Sequence, residues 1–250
     1  MELTKYAIIS KSRATFTMIQ IEKSTLRFLR ELHTNNHREW FQANKSRYVG
    51  AQTNMISWLD ALIHLMNRHD QLQTVSGKES LYRIYNDVRF SADKTPYNPR
   101  FAGHLKRQKP QLRGGYYFWI KPGASRVGCG FTYPSPADLK RIREDIDFQT
   151  PAWRKLLRHP KIVAAFGSMQ GEQVRTAPRG YTADHPAIDL LRYKQYWFEH
   201  SFKDAEVLAP DFLKQVDNTF RAIRPFFNYM SEVLTTNANG ELLTKSPNRN

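Results

Sequence analysis

Gly115-Tyr116-Tyr117-Phe118-Trp119-Ile120 is followed, after Lys121, by Pro122-Gly123-Ala124-Ser125. An aromatic-rich run of this kind reads as a β-strand. The proline–glycine turn sends the chain back into a second strand, Arg126 to Tyr133. Two strands joined by so short a turn pair antiparallel. Because helical periodicity lies on both sides of this hairpin, the expected class is α+β.

Towards the N-terminus, Ser80 to Phe90 reads as a further strand, with Tyr82, Ile84, Val88 and Phe90 on one parity and Arg83, Asp87 and Arg89 on the other. Earlier still, Ser24 is placed to cap a helix carrying Leu26, Phe28, Leu29 and Leu32. His33-Thr34-Asn35-Asn36 breaks that helix, and Asn36 with Glu39 resembles a capping box for the next, which shows Trp40 and Phe41. Met55, Leu59, Leu62 and Met66 continue the helical period to about Arg68.

Towards the C-terminus, helices are expected over 136–147 and 151–158, each opening on proline, then a strand from Lys194 to Phe202. Leu213, Val216, Phe220, Ile223, Phe227, Met230 and Leu234 are spaced alternately three and four apart. They mark a long final helix that begins at Pro210 or Asp211 and is kinked by Pro225. The expected architecture is an antiparallel-rich sheet flanked by N-terminal helices and this long kinked C-terminal helix. It forms one domain over 18–237, with 1–17 an extension outside the fold and 238–250 a frayed polar tail.

A chain of 250 residues, 40% hydrophobic and 13% aromatic, builds a core without disulfide or metal staples. Cys129 is the one cysteine, so no internal disulfide forms. Tyr6-Ala7-Ile8-Ile9 is too short for the apolar core of a secretory signal, and Lys11 and Arg13 follow it. No apolar run reaches the roughly 20 residues of a membrane span, so the expectation is a cytoplasmic protein without a membrane partner. The oligomeric state is not legible.

The net charge is +15, and residues 1–125 carry most of it, with 20 basic against 9 acidic side chains. Lys94 to Lys121 holds seven basic residues and no acid. Such a stretch attracts polyanions or steers a small anion.

The eight histidines show no ligand spacing. There is no Cys pair, no His-Glu-x-x-His, no Walker loop and no G-x-S-x-G elbow. Gly114-Gly115 and Gly128-x-Gly130 lack the fingerprint of a dinucleotide site. No metal site or cofactor is therefore expected, Mg²⁺ being the one ion that two aspartates in the next segment could take.

That segment runs from Arg83 to Tyr97 and carries Arg83, Arg89 and Lys94 with Asp87 and Asp93 among them. Strand alternation would put Arg83, Asp87 and Arg89 on one face, where two guanidinium groups clamp a phosphate or carboxylate. The bland alternative is an ion-pair ladder that holds the following loop.

Thr25 to Leu32, Asn35 to Lys45, Arg83 to Tyr97, Gly115-Tyr116-Tyr117, Gly128-Cys129-Gly130 and Pro178-Arg179-Gly180-Tyr181, in this order, resemble the domain-of-unknown-function 2461 family over about residues 24–235. The resemblance implies a mostly bacterial intracellular protein and supplies candidate positions but no reaction. This chain has Asn86-Asp87 where the family commonly has Arg-Asp; if that arginine binds an anion in the family, Asn86 would bind it more weakly.

The expected ligand-contacting set is Arg83, Asp87, Arg89, Asp93, Lys94, Tyr97, Tyr116, Arg179 and His185. The loops around Arg179 and Lys194 would converge on the Arg83 strand. Three functions compete. One is a module binding an anionic small molecule or a polyanion. The second is a hydrolase or transferase acting on a phosphate or acyl group, with Asp87 or Asp93 as base or Mg²⁺ ligand. The third is a nucleic-acid-binding or purely structural protein, in which Tyr97, Phe101, Tyr116, Tyr117, Phe118 and Trp119 interleave with the cations to stack bases.

Overall fold

A computed structural model of the chain describes residues 19–237 and 241–243. The chain opens with α1 (Lys23–Thr34), α2 (Arg38–Ala43), α3 (Lys45–Met66) and the single turn α4 (Gly77–Ser80). A meander of β1 (Phe101–Lys106), β2 (Gly115–Ile120) and β3 (Ser125–Phe131) follows. Then come α5 (Pro136–Phe148), α6 (Thr150–Leu157), α7 (Pro160–Phe166) and α8 (Ile188–Leu191). β4 (Tyr196–Phe202) returns to the sheet before α9 (Asp204–Val207), α10 (Phe212–Ala222) and α11 (Arg224–Thr235). The four strands lie in chain order and every pairing is antiparallel.

Strand alternation gives the sheet two unlike faces. In β2, Tyr116, Phe118 and Ile120 are fully buried while Tyr117 and Trp119 between them are half-buried. The inner face packs on the C-terminal helices: the Tyr116 ring lies 4.8 Å from Phe220 and 5.1 Å from Phe227, and Phe198 lies 5.0 Å from Phe226. Behind them Trp58 of α3 stacks on Phe212 of α10 at 5.4 Å. One hydrophobic cluster takes in side chains from Ile21 to Leu234. The 3–4 stripe of the final helix runs through Ile223, still helical at φ −79°, ψ −10°, and Pro225 stands in the first turn of α11. Proline has no N–H to bond back to the preceding turn, so the stripe divides into two helices there.

A buried charge network ties three segments together. Asp70 follows α3, Arg107 follows β1 and Arg224 opens α11; the Asp70 and Arg107 side chains are both 0% exposed. Arg107 donates through Nε to Oδ2 (2.9 Å) and through Nη2 to Oδ1 (3.2 Å), Tyr116 donates its hydroxyl to Oδ2 at 2.5 Å, and Arg224 Nη1 lies 2.5 Å from Oδ1. Burial pushes the Asp70 carboxyl up, but the Arg107 and Arg224 charges and the Arg107 and Tyr116 hydrogen bonds outweigh it and hold it below 3.8.

Several local expectations are corrected. Ser24 lies inside α1 and donates to Glu22 Oε2 rather than capping. His37, not Asn36, caps α2, its Nδ1 accepting from the Trp40 N–H, because the Asn36 amide is engaged elsewhere. β1 lies at 101–106, a part of the basic stretch for which no strand is expected. Its central Gly103 weakens the strand signal, yet an added Cβ there would meet Ser80 O at 1.9 Å. Of the polar tail, 241–243 are described, and there Leu243 donates its N–H to Thr235 O. The expected extension at 1–17 lies outside the described residues.

Candidate functional site

Residues 80–90 do not form the expected strand. Ser80 ends α4, Leu81 makes an isolated bridge to Gly103, and the chain then pairs with itself. Asn86 donates to Pro96 O, Asn98 donates to Ile84 O, and Tyr85 bridges Tyr97, making a short stem with 87–95 as its tip. Turn chemistry defeats the alternation: Asp87 Oδ1 accepts from the Arg89 N–H and Asp93 Oδ1 from the Thr95 N–H, each closing a turn two residues on. Phe90, which alternation would bury, is 96% exposed.

The charged face expected of Arg83, Asp87 and Arg89 is therefore absent. Arg89 instead grips Asp87 through two parallel bonds, Nε to Oδ1 at 2.9 Å and Nη2 to Oδ2 at 2.7 Å. Lys94 Nζ donates to Val88 O. Arg83 is exposed and makes no hydrogen bond or ion pair among the described residues. The Arg89 hydrogen bond is the main cause that holds the Asp87 carboxyl below its ordinary range; at Asp93 the cause is hydrogen bonding from Thr95. Both aspartates are thus ionised acceptors, ill suited to donate a proton. Among the described residues no group of three or more His, Cys, Asp or Glu side chains is gathered to hold a metal.

The stem is locked to α2. Asn36 donates its amide to Tyr97 O (2.8 Å) and accepts from the Tyr97 N–H (3.1 Å), while the Tyr97 ring stacks on Phe41 at 4.0 Å. Lys45 Nζ donates to the Tyr85 hydroxyl at 3.0 Å and sits over the Phe41, Tyr48 and Tyr85 rings at 5.1, 4.8 and 5.6 Å.

The remaining expected site residues are dispersed. Tyr97 is buried in this anchor and Tyr116 in the core network. Arg179 lines a different groove, along α5, with Arg143, Asp147 and Tyr181. Beside that groove His185 Nδ1 accepts from the Ala187 N–H and Nε2 bonds Asp147 Oδ1, so both ring nitrogens are occupied. Lys194 pairs with Glu172. No hydrogen bond, ion pair or ring contact among the described residues joins Arg179, His185 or Lys194 to the Arg83 segment, so the expected convergence of those loops does not occur.

The outer sheet face brings together what sequence reasoning left scattered. Tyr82 lies 5.4 Å from His104, His104 5.9 Å from Tyr117, Tyr117 6.1 Å from Trp119 and 5.2 Å from Trp197, all centroid to centroid. The register explains the row: His104 pairs with Tyr117, and Tyr117 with Gly128. The Trp197 indole lies across Gly128, where a Cβ would meet the ring at 2.0 Å. Arg126 stacks on Trp119 at 5.0 Å and pairs with Glu199 at 3.4 Å. His104 Nδ1 and Arg126 Nε are buried without a hydrogen bond. Burial, and then the Lys106 charge, push the His104 pKa below 6.5, leaving it a neutral ring at pH 7. Of the six aromatics expected to stack bases, only Tyr117 and Trp119 are here; Tyr97, Phe101, Tyr116 and Phe118 are buried. The signal was the outward parity of β2 and β4, which pairs Tyr117 and Trp119 with Trp197 across the sheet.

The fold and this surface define a basic α+β protein whose antiparallel sheet carries an aromatic row beside a charged, anchored loop. The chain belongs to the family described as conserved hypothetical protein (DUF2461), whose model matches residues 24–229. No curated protein and no solved structure matches it. No helix among the described residues is long and apolar enough to cross a membrane.

Proposed function

We propose that the protein binds single-stranded nucleic acid across the outer sheet face. The observation that carries this reading is the continuous row Tyr82, His104, Tyr117, Trp119 and Trp197 on a sheet face that adjoins the Arg83–Lys94 loop. Aromatic rings offer faces on which bases of any identity stack, and neighbouring cations track the phosphates. Arg83, Lys94, Lys106 and Arg126 supply those cations, and Arg89 keeps its Nη1 edge free of Asp87. Phe90 at the loop tip adds one more ring. The net charge of +15 favours a polyanion over a neutral ligand. A cytoplasmic location, the expectation from sequence, suits this partner. The hydrolase reading has less support, since the Asp87 oxygens are already engaged by Arg89.

Fluorescence anisotropy of a labelled twelve-nucleotide oligothymidylate and oligouridylate, titrated at several salt concentrations, tests the reading. Binding should weaken with a log–log salt slope of roughly −0.7 per phosphate contacted. Tyr117→Ala should cost about 1–3 kcal/mol, the value of one base–aromatic stack. Binding that survives Tyr117→Ala and Trp119→Ala unchanged would reduce the interaction to diffuse charge attraction and refute the platform.

A further inference from the structure

Beside the buried network, a hollow of about 360 Å³ opens between the end of α3, the turn at Leu112 and the start of α11. Arg68, His69, Asp70, Gln71 and Arg224 are among its walls. Its volume lies at the small end of the range of ligand pockets.

The chemistry of the walls is one-sided. Asp70 is the one carboxylate among them, and its oxygens are saturated: Oδ1 takes the Gln71 N–H (2.8 Å), Arg107 and Arg224, while Oδ2 takes Arg107 and Tyr116. Two guanidinium groups thus share one carboxylate, and Tyr116 adds no charge because burial raises its phenol well above 10. The other polar groups of the walls are only partly engaged: Arg224 Nη2 donates to Asn228 Oδ1 at 3.3 Å. Arg224 Nε and His69 Nδ1 are buried without a hydrogen bond. His69 Nε2 is held by Asp217 Oδ1 at 2.7 Å. The Asn67 carbonyl accepts from the Leu72 N–H, which leaves the Asn67 amide group free to donate. The Arg68 side chain is exposed and makes no ion pair or hydrogen bond among the described residues. A hollow offering cationic and amide donors with its only carboxylate spent is complementary to an oxyanion.

We propose that this hollow is a second binding site, separate from the sheet face, for a small oxyanion carried on a phosphate or a carboxylate. Arg68 meets the anion from the rim, Arg224 fixes it from the floor, and Asn67 adds a neutral donor. The guanidinium charge at Arg224, 20% exposed and sharing Asp70 with Arg107, is then balanced by the ligand. The site rests on none of the residues of the nucleic-acid reading.

Thermal shift and calorimetric titration of the full chain with inorganic phosphate, sulfate, acetate and citrate at 150 mM chloride test the site. Phosphate or a carboxylate should raise the midpoint saturably, by about 5–10 °C at a hundred times Kd. Arg68→Gln and Arg224→Gln should each weaken that anion tenfold or more, while Arg83→Gln and Arg89→Gln leave it unchanged. Whether phosphate or the carboxylates bind tells which oxyanion the site takes, and either supports it. If Arg224→Gln does not fold, Arg68→Gln decides, because its side chain holds nothing in the fold. No saturable shift with any of the four anions overturns the proposal. Equal loss in Arg68→Gln and Arg89→Gln overturns it too, since that marks diffuse attraction to a basic surface.

Discussion

Replacing Asp70 by Asn removes one negative charge and little volume from a point where Arg107, Arg224 and Tyr116 meet. The Arg107 side chain is 0% exposed, so water cannot take over from the lost carboxylate. Breaking a buried pair in this way costs about 3–5 kcal/mol. For a chain of this length each kcal/mol moves the midpoint by about 2–4 °C, so the variant should melt roughly 6–20 °C below the parent at pH 7. The acid limb supplies a sharper check. The Asp70 carboxyl is held below 3.8 in the fold, so its contribution is fully present above the unfolded value and is lost as pH falls through the folded one. The gap between parent and variant should therefore be constant from pH 7 to about 5 and shrink below pH 4 as the parent carboxyl takes up its proton. Calorimetric or circular-dichroism melts across that range measure both effects. A variant melting within 2 °C of the parent at pH 7, or a gap that does not depend on acid, would refute the claim that this carboxylate holds the three segments together.

Three further outcomes are expected. Asn36→Ala removes both bonds to the Tyr97 backbone, a loss of about 1–3 kcal/mol; limited trypsinolysis should then cut at Arg89 and Lys94 several times faster, with unchanged cutting speaking against the anchor. Gly128→Val places side-chain atoms where the Trp197 indole lies, so the near-ultraviolet dichroism of the aromatic row should change while the far-ultraviolet spectrum does not. Cys129 is fully buried and its thiol is pushed well above 9 by burial, so a disulfide reagent should label it only on unfolding; rapid labelling of the native protein would contradict the placement of β3.

Periodicity carried most of the fold. The β2–β3 hairpin, β4, the proline-led α5 and α6 and the 3–4 stripe of α10 and α11 all lie where alternation or helical spacing puts them, because each buries one continuous face. Reading failed where local chemistry overrode pattern. Arg83 to Phe90 alternates like a strand, but Asp87 and Asp93 each accept a bond two residues on, and the limb returning through Pro96 and Pro99 has N–H groups missing from any ladder. The charged loop was legible as a cluster and illegible as a shape. The aromatic row needed the sheet order, which brings Trp197 of β4 beside Tyr117 across Gly128, a neighbour roughly 80 positions distant in sequence that no local pattern announces. The Arg68–Arg224 hollow depends on a still longer separation, closed only when α11 packs against the end of α3.

The stem of the Arg83–Tyr97 loop is held at both limbs, by the Ile84–Asn98 and Asn86–Pro96 bonds, by the Asn36 clamp and by Lys45. The tip from 87 to 95 bonds within itself, apart from the Asn86 amide that donates to Thr95 O at its base. Mechanically, then, the tip is a cartridge in a fixed socket. Its composition and length are free to diverge between relatives, or to be exchanged by an experimenter, without disturbing the helices or the sheet that present it. Grafting tips of different charge into this socket would turn one scaffold into a graded series of binders.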